Sequence, residues 1–125
     1  MVKDRIFLAA AGLGGAISVG VDAAAVHLLA GDPVRLNLAA TGARYGLIHA
    51  AALVALSALA PRGGFWLALG GWLFVAGLVL FCGSLDLMAA GAPSGLAICA
   101  PWGGSAFILG WLALFIAALR ARAAD

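Results

Sequence analysis

Apolar residues run along this chain in four long blocks, separated by short clusters of charge, proline and glycine. The first block covers residues 6–29, entered through Lys3, Asp4 and Arg5 and left at Gly31, Asp32 and Pro33. The second covers 45–60 and stops at Pro61, Arg62, Gly63 and Gly64. The third covers 65–90 and closes around Gly91, Pro93, Ser94 and Gly95, where Pro and Gly together end a helix and reverse the chain. The fourth covers 102–119 and ends at Arg120 and Arg122. A helix needs ~20 apolar residues to cross ~30 Å of hydrocarbon, so each block is predicted to be a membrane span. Between the first two blocks, DPVRLNLAA predicts a short interfacial helix with Asp32 as N-cap and Pro33 in the first turn, where its missing N–H costs nothing. A basic start, an apolar run and Ala23 to Ala25 imitate a signal peptide. We read the block instead as a retained first span.

Composition turns four candidate spans into a class of protein. Of 125 residues 66% are hydrophobic, 10% are charged, none is Glu and 18 are Gly, more apolar surface than a soluble domain of this size can hide. The expected fold is an all-α, integral membrane four-helix antiparallel bundle, a single membrane domain over 1–125, and the lipid bilayer is its first partner. A net charge of +2 is too small and scattered for a nucleic acid partner. Basic residues serve orientation: Lys3, Arg5, Arg62, Arg120 and Arg122 fall on one side and Arg35 and Arg44 on the other, so both termini are expected in the cytoplasm. Trp66, Trp102 and Tyr45 lie near span ends, where amphipathic rings favour the headgroup region.

Small residues recur at spacings that let helices touch. In the first span Gly12, Ala16, Gly20 and Ala24 repeat every fourth residue, and Gly42, Gly46 and Ala50 do the same in the second. The third and fourth spans use a seven-residue spacing, Gly70, Gly77, Ser84 and Gly91, then Gly103, Gly110 and Ala117, as left-handed shallow crossings require. These positions are the expected helix-packing faces.

A few polar residues interrupt this apolar background. Counting 1.5 Å of rise per residue puts Asp22, His27, Arg44, His49 and Asp86 all in the same, outer half of the bilayer. At 100° per residue His27, Tyr45 and His49 share the faces of the small residues and are expected to point into the bundle. Asp22, Arg44 and Asp86 lie off those faces. They are expected to form an ion pair of Arg44 with Asp86 or Asp22, with a contact to a partner subunit and a transport or proton site as the alternatives. Two His on adjacent helices invite a haem or metal reading, but no third ligand or CxxCH spacing accompanies them, and a His hydrogen-bonded to a neighbouring carbonyl or Tyr is the simpler expectation. Cys82 and Cys99 form no motif and are expected to be free. No nucleophile elbow, phosphate loop, paired-carboxylate site or zinc signature is present, so no catalytic, cofactor or metal residue is assigned.

GWLFVAGLVLFCGSL from Gly71 to Leu85, PWGGSAFILGW from Pro101 to Trp111, RYGLIHA from Arg44 to Ala50, and His27 near the end of the first span together resemble a family of small bacterial membrane proteins, domain of unknown function 423, related to eukaryotic transmembrane protein 256. The resemblance implies a four-span protein of the bacterial inner membrane. The chain departs from the family pattern in VDAAAVH, CGSLD and APWGG, and both Asp22 and Asp86 stand where the family typically has an uncharged residue. That points to a contact specialised in this member. The expected function is that of a non-catalytic accessory or assembly subunit docking on a larger membrane protein complex; the alternative is a small transporter or channel for protons or a compact solute. Against the alternative, the inner half of the spans offers no ionisable residue at membrane depth, only ordinary packing groups such as Ser18 and Ser57 near the midplane.

Overall fold

Four helices, each long and apolar enough to cross a membrane, make up this chain: Val2–Leu28, Pro33–Leu59, Phe65–Ala89 and Ser94–Ala121. The computed structural model describes residues 2–59, 61 and 63–122, so Ala60 at the expected end of the second span and Arg62 of the charge count lie outside the described residues. We label the elements α1 (Val2–Leu28), α2 (Pro33–Leu59), α3 (Phe65–Gly77), α4 (Gly83–Ala89) and α5 (Cys99–Arg122). A π-helical segment, Leu78–Cys82, fuses α3 and α4 into one continuous third span, and a 3-10 turn, Ser94–Ile98, leads into α5. Short connections reverse the direction each time, giving an antiparallel bundle.

The second helix is longer than its apolar block. No separate interfacial helix forms; α2 begins at Pro33 and runs unbroken through Arg44. Asp32 does cap it, accepting a hydrogen bond from the Arg35 backbone N–H at 3.0 Å. Nothing between Val34 and Tyr45 breaks a helix, so the cap simply propagates.

The third span stops at a left-handed glycine. Gly91 has φ 103°, with Gly91 N–H donating to Met88 O at 3.0 Å and Ala92 N–H to Leu87 O at 2.9 Å, the pair of bonds that closes a Schellman motif. Arg35 reaches across from α2 and donates from Nε to Ala89 O at 2.7 Å, satisfying a carbonyl that the helix end leaves open and placing a cation at the negative end of the dipole.

The third and fourth spans meet backbone to backbone. A Cβ at Gly70 would lie 3.2 Å from Gly110 O and one at Gly110 would lie 3.3 Å from Gly70 O, so each helix rests on the other's backbone. Gly77 accommodates the Phe107 ring, and Gly103 accommodates the backbone of Phe81 in the π segment. At the termini end Arg120 stacks over Trp66, 5.5 Å from the ring centroid. The core they share with α1 and α2 centres on Phe7, Leu53 and Phe74, all fully buried, with Ala11, Leu56, Cys82 and Phe107 around them.

The first helix packs on a different face from the one its glycines suggest. Its inward stripe is Phe7, Ala11, Gly14, Ser18, Val21 and Ala25, a regular four-three alternation that presents Ser18 to Gly46 and Gly14 to Leu78. Gly12, Ala16, Gly20 and Ala24 are exposed on the far side, and no atom would meet a Cβ at Gly12 or Gly20. The aromatic ring and the shape-matched Ser18, rather than the smallest residues, decide which face turns inward. In the third span the seven-residue stripe also divides: Gly70 and Gly77 meet α5, Ser84 lines a cleft beside α1, and Gly91 makes the turn. The wider turn of the π segment rotates the residues after it out of register with those before it.

Gly103→Ala and Gly12→Ala should therefore move stability in opposite directions. The first drives a methyl into the Phe81 backbone and is expected to cost roughly 1–3 kcal/mol; the second is neutral or stabilising by up to about 1 kcal/mol through helix propensity. Thermal unfolding of the two variants in detergent, followed by circular dichroism, checks this; equal shifts would contradict the assignment of faces.

Candidate functional site

His49 is the most completely engaged polar side chain inside the bundle. It is buried at 2% exposure, in the middle of α2, on the stripe that also carries Gly42, Gly46, Leu53 and Leu56. Its Nδ1 lies 2.7 Å from Tyr45 O, one turn back on the same helix, and Trp111 of α5 donates its indole N–H to Nε2 at 3.1 Å. A carbonyl can only accept and an indole N–H can only donate, so the two bonds assign the neutral Nδ1–H tautomer. The ring stacks on Phe107 with centroids 3.5 Å apart and planes 11° from parallel, and Phe74 meets it edge-on at 5.1 Å. Tyr45 lies along the same cluster, edge to Phe81 at 5.1 Å, yet keeps 41% of its surface exposed. Both ring nitrogens of His49 are thus occupied and the bundle axis around it is filled with aromatic carbon. His49 is a packed and satisfied histidine.

His27, expected to point inward with it, does not. It is exposed near the end of α1, two residues and 200° past the buried Ala25, and helical rise separates its level from that of His49 by about 17 Å. Among the described residues no group of three or more His, Cys, Asp or Glu is placed to hold a metal ion. Cys82 is buried and Cys99 half-buried, both as free thiols.

The three membrane charges share a level but not an environment. A Cβ on Gly42 would meet Asp86 and one on Gly46 would meet Ser18; one turn along two antiparallel helices, Gly42 is therefore level with Asp22. Arg44 sits two residues from Gly42. Asp22 and Arg44 are exposed, whereas Asp86 is half-buried with Oδ1 tucked against Gly42 and without a hydrogen-bond partner. The expected ion pair is not found: among the described residues no carboxylate lies within bridging distance of Arg44. On α2 Arg44 is 160° from Gly46, the residue that meets α1, so its Cβ points away from the seam.

Arg35 is the residue that sequence reasoning misses. Its charge counts toward orientation, yet it stands seven before Gly42 and so continues the α2 stripe of Arg35, Ala39, Gly42, Gly46, His49 and Leu53 beyond the apolar block. The four-three alternation is the available signal; starting the span at Tyr45 hides it. Trp111 and Phe107, four apart on α5, are likewise legible as one face but carry no sign that they enclose His49.

His49 and Trp111 should be energetically coupled. Trp111→Phe leaves Nε2 buried without a donor and is expected to cost about 1–3 kcal/mol, while Trp111→Phe combined with His49→Phe removes both partners and should recover part of that loss. Unfolding midpoints of the two single variants and the double variant, measured in one detergent, give the coupling directly; strictly additive losses would deny the bond a role.

Sequence comparison bears on the chain as a whole. The family described as Protein of unknown function (DUF423) matches residues 21–104. The UPF0382 membrane protein YwdK of Bacillus subtilis is 33% identical over 120 residues, covering 93% of this chain and 98% of the relative. A UPF0382 membrane protein of Haemophilus influenzae is 32% identical over 120 residues, with 93% and 95% covered. The UPF0382 inner membrane protein YgdD of Escherichia coli K12 is 30% identical over 124 residues, with 97% and 95% covered. No solved structure matches the chain.

Proposed function

This chain belongs to the DUF423 family of membrane proteins, and from that premise we propose that it is a non-catalytic accessory subunit docking laterally on a larger membrane protein complex. What carries the reading is the pair Asp22 and Arg44, opposite charges at one level on adjoining helices, both turned to the surroundings and joined by no ion pair among the described residues. A charge facing hydrocarbon costs ~3 kcal/mol on insertion scales, so each is better served by a polar group on another helix than by lipid. Beside them the outer face of α1 offers the small residues Gly12, Ala16 and Gly20, the surface on which a partner helix can approach closely. α1 is also the least covered span, with 17% of its apolar window buried.

The protein sits with both termini on the cytoplasmic side of the inner membrane, a reading supported by Lys3, Arg5 and Arg120 gathering at one end of the bundle. Its partner presents a transmembrane helix with small residues facing α1 and polar groups level with Asp22 and Arg44. A conducting role draws less support, because Leu53, Phe74, Phe107 and the doubly bonded His49 fill the axis along which a solute would have to pass.

Gentle detergent extraction, affinity capture of the chain and a native gel test the proposal. A stoichiometric membrane partner is expected to co-migrate, and Gly12→Leu or Asp22→Asn to release it while leaving the unfolding temperature of the isolated bundle within a few degrees. Migration of the wild-type chain alone, or retention of the partner by both variants, would overturn it.

A further inference from the structure

Two clefts meet at Asp86, and neither is lined by Gly12, Ala16 or Gly20. One, of about 430 Å³, runs between α1 and the third span and is lined by Leu13, Ile17, Leu78 and Val79, with Ser18 and Ser84 as polar exceptions. The other, of about 390 Å³, continues past Val21, Ala25 and Leu28 to Arg35. Asp86 lines both, so they follow one another along α1 from Ala10 to Leu29, about 28 Å by helical rise. The groove exists because α1 leans on α2 and makes little contact with α4, which the π segment turns toward Gly42.

Its polar groups sit at one end and are unsatisfied in complementary ways. Arg35 lines the cleft, spends Nε on Ala89 O and makes no further side-chain hydrogen bond among the described residues, with one terminal nitrogen beside Gly91. Asp86 makes no side-chain hydrogen bond among the described residues; Oδ1 is sealed against Gly42, and the rest of the carboxyl group lines the cleft as an acceptor wanting a donor. Arg35 anchors at Ala89, the last residue of α4, and Asp86 lies one turn further in. An occupant that fits must carry an anion outermost, a hydrogen-bond donor one step inward, and an apolar chain beyond.

We propose that this groove binds a single-chain anionic glycerolipid, a lysophospholipid, with its phosphate on Arg35, its free glycerol hydroxyl donating to Asp86 and its acyl chain along Leu13, Ile17, Leu78 and Val79. A diacyl phospholipid matches less well, since the ester at the corresponding position has no hydrogen to give Asp86 where the free hydroxyl of the lysolipid has one. A neutral monoacylglycerol supplies the hydroxyl but leaves Arg35 without its anion.

The test uses the full chain, purified in detergent and stripped of lipid, with native mass spectrometry during titration by oleoyl lysophosphatidylglycerol, dioleoyl phosphatidylglycerol and monoolein. A one-to-one adduct with the lysolipid is expected at concentrations where the other two give little. Asp86→Asn and Arg35→Gln should each weaken it about tenfold or more. Val79→Trp, at a position 67% exposed and away from both polar groups, should block the chain's path and abolish the adduct without lowering the unfolding temperature, which separates loss of the site from loss of the fold. Absence of any lysolipid adduct, equal binding of the diacyl or neutral lipid, or binding indifferent to all three variants would overturn the proposal.

Discussion

Lipid tails are as apolar as leucine, so helices already in a bilayer gain little from meeting one another unless their backbones come close enough to replace lipid contact with denser packing. In this bundle α3 and α5 make that approach, through reciprocal contact of Gly70 and Gly110 with each other's backbone and through the hollows that Gly77 and Gly103 leave for Phe107 and Phe81. The rest of the architecture is positioned by this contact. With Phe107 seated in the Gly77 hollow, its ring is held flat beneath His49, and Trp111 one turn along is placed to donate to the same imidazole. The helix that contributes His49 is thereby fixed against the α3 and α5 pair, and α1 is added through Ser18 on Gly46 and Phe7 on Gly71. Polar satisfaction inside the bundle is a consequence of close packing at its edge.

The π segment has the opposite character, spending regularity to change direction. Before it, the third span shows Gly70 and Gly77 to α5; after it, the same helix shows Asp86 to Gly42 and Ser84 to the cleft beside α1. A straight α-helix would have kept Ser84 near the face of Gly77, because seven residues return almost to the same angle. The widened turn also brings Phe81 backbone against Gly103, so the irregularity is held in place by close backbone packing.

What the sequence reveals and what it hides divide along this line. Four spans, antiparallel order and the inward faces of α2, α3 and α5 are legible because they depend on blocks of apolar residues and on helical angle, which a periodic reading captures. The inward position of His49 and its bond to a neighbouring carbonyl also follow from one helix considered alone. Legibility fails where the answer depends on two helices at once. For α1, glycine spacing suggests one face while Phe7, Ala11, Ser18 and Ala25 define another, and only the match of Ser18 to the Gly46 hollow chooses between them. Arg35 is hidden when the second span is drawn from where its hydropathy begins instead of from its cap, Asp32. The π turn has no sequence signature at 100° per residue, so the reorientation of Ser84 and Asp86 is beyond such a reading.

Three charges at one level of one bundle end in three situations, and α1 is the reason. It lies against α2 along a narrow stripe and leaves two flanks uncovered, one toward the third span and one toward the membrane. Asp86, carried inward by the π turn, opens on the first flank and shares it with Arg35; Asp22 and Arg44 border the second. Pairing Arg44 with Asp86 would have required the guanidinium to pass around α2, since Arg44 and Gly42 are separated by 160° on that helix and Gly42 is what Asp86 touches. The aspartate inside the apolar run is therefore not balanced by the cation nearest to it in level. It is held beside glycine where two clefts meet, with Arg35 as the cation that shares one of them, while Asp22 lies on a separate surface.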